Sequence, residues 1–236
     1  MLKGTSEKPK TRKFADWERW IPDSLTQRPK AKYSEEELVE FTLYYRGPLR
    51  ANGGREDKHR IRQYFHKQIK ELWNQPPLNK YRTLVDPSSN EPAGIGEDVV
   101  LVESDDVSVL RSVGTYEFAS IVSSEIYLVA DLTITLLRPE PPGAIVTQGG
   151  DIDNRIKTLL DALKIPDGPD ALPKGSSPAA DEDPLFCLLE DDNLITSLTI
   201  KTDRLLEPSM SPSEVILLIH VRTRPTVGTF VNLGLV

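Results

Sequence analysis

Apolar and polar positions alternate first over residues 39–45, where Val39, Phe41, Leu43 and Tyr45 are separated by Glu40, Thr42 and Tyr44. A period of two sends alternate side chains to opposite faces, so this stretch predicts a half-buried strand. "PLRANGGRED" follows, a proline and then Asn52-Gly53-Gly54, and reads as a turn. The period then changes. In "REDKHRIRQYFHKQIKELW" Ile61, Phe65, Ile69 and Leu72 recur at helical spacing with charges on the opposite face, which predicts an amphipathic helix. "EIYLVADLTITLLRP" returns to strict alternation through Ile126, Leu128, Ala130, Leu132, Ile134 and Leu136, and Pro139, Pro141 and Pro142 stop it. Ile156, Leu159, Leu160 and Leu163 predict a second helix over 153–165, and two further strands follow at about 193–203 and 214–223.

The segments between these elements carry weaker patterns. Residues 75–98 read mostly as loop, while "DVVLVES" and "YEFASIVSS" predict a strand pair inserted around 98–123. The Pro/Gly/Ser-rich stretch 166–184 predicts a mobile polar loop. Residues 1–34, rich in Lys, Pro and Arg, read as an N-terminal arm with Phe14, Trp17, Trp20 and Ile21 as anchors. The remaining 35–236 form one domain with insertions at about 76–123 and 166–184. The order strand, helix, insert, strand, helix, strand, strand predicts an α/β fold of the α+β type: a single mixed β-sheet with helices packed on it.

Composition narrows the class. A chain of 236 residues with 38% hydrophobic and 28% charged residues can bury a substantial core. No run approaches the ~18 apolar residues that span a bilayer, and "MLKGTSEKPKTRKFADWERW" lacks the apolar stretch of a signal peptide. A cytoplasmic protein without a membrane partner is the expectation. Cys187 is the one cysteine, which excludes an internal disulfide and a cysteine-rich zinc site. The net charge of −7 argues weakly against a polyanionic partner, but it is unevenly spread. Between Arg46 and Trp73 eight basic residues face three acidic ones, and local sign steers a polyanion more than the total does.

Candidate chemistry lies in two acidic clusters. "GGDIDNRIKTLLDALKIP" sets Asp151 and Asp153 where the second helix begins, and "LLEDDNLITSLTIK" sets Asp191 and Asp192 at the mouth of a strand. Crowded carboxylates raise one another's pKa, so they call for a counter-charge; a divalent cation bound by hard oxygen ligands is a natural one. Lys157 follows Asp153 by four residues and shares its helix face. Each feature also has a plainer explanation. A D-x-D pair before a helix serves as an N-cap, Lys157 can pair with Asp153 or Asp161, and "EDD" can be a solvated turn. The basic helix face can simply be solvated. His59 and His66 share a face but lack a third metal ligand, and His220 has no evident role.

Taken together, "DIDNRIKTLLDAL" and "LEDDNLITSLTIK" resemble the signature of RusA-type Holliday-junction resolvases. The matching residues are Asp151, Asp153, Asn154 and Lys157, then Asp161-Ala162-Leu163, then Asp191-Asp192 with Ile195 and Lys201. The resemblance covers 125–222 and, more loosely, 36–73. It implies a RusA-like Mg²⁺-dependent endonuclease (Mn²⁺ as substitute), a homodimer, and a branched or junction-containing DNA substrate. On that footing Asp151, Asp153 and Asp192 are the metal ligands and Lys157 their catalytic partner. Arg50, Arg55, Lys58, Arg60 and Arg62 are the candidates for backbone contact, with Gly53-Gly54 allowing close approach. The arm and both insertions have no counterpart in compact members of that family. Two rivals stand beside this reading. One is a nucleic-acid- or protein-binding module on the same fold with cleavage reduced. The other is a transferase whose D-x-D holds a diphosphate, a reading weakened because no glycine-rich phosphate loop precedes the helix.

Overall fold

The computed structural model describes residues 39–85, 107–139, 152–207, 214–229 and 232. The predicted arm at 1–34, the strand "DVVLVES" and Asp151 lie outside these residues. In chain order the described elements are β1 (Glu40–Pro48), α1 (Arg55–Trp73), β2 (Leu110–Val113), β3 (Tyr116–Val122), β4 (Leu128–Arg138), α2 (Ile152–Leu163), β5 (Leu185–Leu189), β6 (Ile195–Arg204) and β7 (Glu214–Pro225). No helix among them is long and apolar enough to cross a membrane.

Periodicity located the principal elements well. Leu128, Ala130, Leu132, Ile134 and Leu136 of β4 are all buried, with half-buried residues between them. Ile61, Phe65 and Ile69 of α1 are buried, and Leu72 packs against the same core. Two strands went unpredicted, the short β2 ("LRSV") and β5. β5 is "LFCLL", five consecutive buried residues, and a strand covered on both faces carries no alternation.

The expected single sheet is instead two mixed sheets. One has strand order β1-β7-β4-β6 and the other β2-β3-β5. β3 pairs in parallel with β5, and β4 in parallel with β6. Parallel neighbours require a crossover, and α2 lies within the crossover of both pairs. The passes β3-to-β4 and β5-to-β6 therefore run side by side and change sheets together, at Ser123–Tyr127 and at Glu190–Leu194. At the first break the Leu128 N–H bonds the Ser123 carbonyl at 3.1 Å, and Tyr127 takes φ 56°. At the second, Glu190 spans both breaks. Its backbone N–H bonds the Val122 carbonyl at 2.8 Å. Its carboxylate accepts from the Ser123 hydroxyl (2.7 Å), the Ser124 N–H and hydroxyl (both 2.8 Å) and Arg111 (3.1 Å). Burial pushes the Glu190 pKa up, but the serine donors and Arg111 outweigh it and the net shift is downward.

The stretch 166–184, expected as a mobile loop, is fastened to α1. Leu172 and Glu182 are buried. Gln63 donates to Glu182 at 2.8 Å, and Lys70 donates to the Asp181 carbonyl at 2.6 Å. His66 ties this segment to β5. Its Nε2 meets the Asp181 carbonyl at 2.9 Å and its Nδ1 meets the Phe186 N–H at 2.9 Å. A carbonyl only accepts and an amide N–H only donates, so the ring is neutral with its proton on Nε2. Protonating Nδ1 sets one N–H against another. Burial lowers the His66 pKa, as it does that of His59. The unfolded chain therefore binds more protons once pH drops below the ordinary histidine value of about 6.5, and this part of the stability is present above that value and lost below it. Thermal melts between pH 8 and 5 should show Tm falling below about pH 6.5, with a shallower fall in His66→Gln; an equal slope in the variant would refute this role.

Candidate functional site

From Ile152 onward the D-x-D-N-x-x-K stretch forms the start of α2, and the residues of this first half of the helix divide between two tasks. Arg155, Ile156, Thr158 and Leu159 face inward and are buried, whereas Asp153 and Lys157 are exposed one turn apart. The buried polar residues fasten the β1–α1 turn. Arg155 donates to the Leu49 carbonyl. Thr158 Oγ1 accepts from the Gly53 N–H at 3.0 Å and donates to the Asn154 carbonyl at 3.0 Å. Gly53 must be glycine because a Cβ there would stand 2.6 Å from Thr158 Cγ2. Thus Asp153, Lys157 and the turn bearing Arg50 and Asn52 share one end of the molecule. Neither Asp153 nor Lys157 forms an ion pair or side-chain hydrogen bond among the described residues; Asp161, the alternative partner of Lys157, is held by Lys58 at 2.7 Å.

The second acidic cluster is largely spoken for. Glu190 closes the sheet break. Asp191 caps the short 3₁₀ turn Asp192–Leu194, accepting from the Asn193 N–H at 2.9 Å. Lys164, just beyond the end of α2, supplies the counter-charge that the sequence reading sought from a cation. Its ammonium bonds Asp167 at 2.8 Å and lies 3.7 Å from Asp192 and 3.8 Å from Asp191. Burial pulls the Lys164 pKa down, but Asp167, with Asp192 and Asp191 behind it, more than reverses this and holds it above the ordinary lysine value. Lys164 follows Asp153 by eleven residues, about 16 Å along a helix axis. The ion-pair contact of Asp192 is therefore with the far end of α2 from Asp153. Among the described residues no three His, Cys, Asp or Glu stand close enough to hold a metal ion; Asp151, the third acid of the expected set, is outside those residues.

The five expected phosphate contacts also divide. Arg50 and Arg60 are exposed and share Asp57, at 3.7 and 2.7 Å, and Arg55 pairs with Glu56 at 3.1 Å. Lys58 is only partly exposed and bridges α1 to α2 through Asp161. Arg62 requires correction: it is 2% exposed and cannot reach a ligand. Its guanidinium donates to the Asp161 carbonyl at 2.8 Å and the Lys164 carbonyl at 3.2 Å. A helix leaves its last carbonyls unpaired and its C-terminal end negative, which suits a cation. Arg62 also faces Cys187, whose thiol burial nevertheless pushes up to about 12. That cysteine is inert at neutral pH. Sequence reading missed Glu190 and Lys164, and "LLEDD" and "DALKIP" hold no local signal that would separate them from solvated charges.

The chain matches no protein-family profile, no curated protein and no solved structure. Structural and spare residues are separable by experiment. Gly53→Ala should cost about 1–3 kcal/mol through overpacking, and Glu190→Ala about 2 kcal/mol through its unpaired donors. Asp153→Asn and Lys157→Met should change stability by less than about 0.5 kcal/mol. Urea unfolding of the four variants checks the contrast.

Proposed function

We propose that this chain is a metal-dependent endonuclease of RusA type that hydrolyses phosphodiester bonds in branched DNA. One observation carries the reading. At the start of one helix the buried residues, Arg155 and Thr158, have structural partners, while Asp153 and Lys157 are exposed beside the Arg50 turn and have none among the described residues. Residues kept at a helix start without a structural partner there are candidates for chemistry.

The donor chemistry fits Mg²⁺, which favours carboxylate oxygens. Asp153 has no ion pair among the described residues. Asp151 and Asp153 would hold the ion, and Asp192, at the far end of α2, would not share it; when bound, the ion supplies Lewis-acid stabilisation and a water of lowered pKa. The Lys157 ammonium would neutralise charge on the phosphoryl oxygens. Arg50, Arg55 and Arg60 would fix the backbone of the substrate. Two copies related by a two-fold axis would offer two sites to two strands, which suits a symmetric junction.

A binding module on this fold is the second reading, favoured by the pairing of Lys164 with the Asp191-Asp192 cluster. The test is a panel of labelled four-way junction, flap, duplex and single-stranded DNA incubated with Mg²⁺. Wild type should cleave a branched substrate, and Asp153→Asn should lose at least about a hundredfold in rate, or ~2.7 kcal/mol. Binding without cleavage by wild type, unaffected by Asp153→Asn, would favour the module and end the nuclease proposal.

A further inference from the structure

A second surface combines aromatic faces with cations. Between β1 and the outer face of α1 lies an open groove of about 710 Å³. Tyr44 and Tyr64 line it and are 39% and 37% exposed. Arg60 and Lys67 also line it. Arg60, Tyr64 and Lys67 are spaced by four and then three residues, so they stand on one helix face.

From this arrangement we infer that the groove binds unpaired nucleotides, their bases stacking on Tyr44 and Tyr64 and their phosphates meeting Arg60 and Lys67. The inference rests on the nucleic-acid reading above and adds the form of polymer: single-stranded. Every base has a π-face, so exposed aromatic rings beside cations suit a strand without sequence preference. The rings are held in place. Tyr64 rests edge-on against buried Tyr45, centroids 4.9 Å apart at 73°. Gln68 grips the Tyr44 backbone, its Oε1 accepting from the N–H at 2.9 Å and its Nε2 donating to the carbonyl at 2.7 Å.

That grip also argues against a peptide partner. β1 is an edge strand, and the Gln68 amide occupies the backbone groups that an added strand would use. The charge balance leaves the cations effective. Asp57 serves both Arg50 and Arg60, and Lys67 has no ion pair among the described residues. Of the two acids at the groove, Glu182 is buried and bonded to Gln63 and the Ala179 N–H, which leaves Asp181 at the rim.

The experiment is fluorescence anisotropy of a labelled oligo-dT and of a duplex of equal length, with the full chain in EDTA so that no strand is cut. Tyr44→Ala and Tyr64→Ala should each weaken single-strand binding roughly 5- to 150-fold, with duplex binding changed much less. Tyr44→Phe and Tyr64→Phe should retain it, since stacking does not use the hydroxyl. Lys67→Ala should lower the salt slope by about 0.7. Thermal melts exclude unfolding of Tyr64→Ala; Tyr44 is outward on its strand, so its variant gives an independent reading. Alanine variants that bind like wild type, phenylalanine variants that lose as much as alanine, or equal losses on both DNAs would each overturn the inference. If wild type cleaves nothing with Mg²⁺ yet single-strand binding needs both tyrosines, the nuclease reading fails and the groove stands. Cleavage with unaltered binding in the tyrosine variants gives the reverse.

Discussion

A buried guanidinium at the end of a helix governs the arrangement of this domain. Arg62 is almost wholly out of solvent, and a charge so placed costs several kcal/mol unless its surroundings answer it. The carbonyls of Asp161, in the last turn of α2, and of Lys164, just beyond it, do so. This contact docks the C-terminal end of α2 on the middle of α1, and Lys58–Asp161 and Gly53–Thr158 continue the docking toward the other end. Because α2 lies within the crossover of both parallel strand pairs, its orientation also decides which strands can meet.

The same docking sorts the charged residues. On α2 the buried polar residues Arg155 and Thr158 are taken up by the β1–α1 turn, and Asp153 and Lys157 are left outward beside it. At the opposite end Lys164 gathers Asp167, Asp191 and Asp192. Carboxylates that cluster must find positive charge, and here the protein supplies some of its own. The run Glu190-Asp191-Asp192 thereby separates into a clasp between two sheet breaks, a turn cap, and an acid with no hydrogen bond to its neighbouring lysine.

Much of the fold was legible because burial on one face imposes a period. Val39 to Tyr45, Ile61 to Leu72, Leu128 to Leu136 and Ile156 to Leu163 each report their own element. β5 was not legible, since "LFCLL" is covered on both sides and shows no alternation. Arg62 was misread for a related reason: a helical wheel separates polar from apolar positions but does not know that a second helix covers part of the polar side.

What the sequence determined by itself is local: where strands and helices form, where Gly53 turns the chain, and which carboxylates stand at a helix start. These follow from backbone sterics and from periods of two and 3.6 residues, which act over a few neighbours. Only tertiary structure decided that the strands divide into two sheets, that 166–184 lies fastened on α1, and that Glu190 and Lys164 belong to the architecture. Those outcomes depend on contacts between residues such as Ser123 and Glu190, 67 positions apart. Whether a buried or clustered charge is structural or spare is set by the partner that the fold brings to it, and no spacing along the chain records that partner.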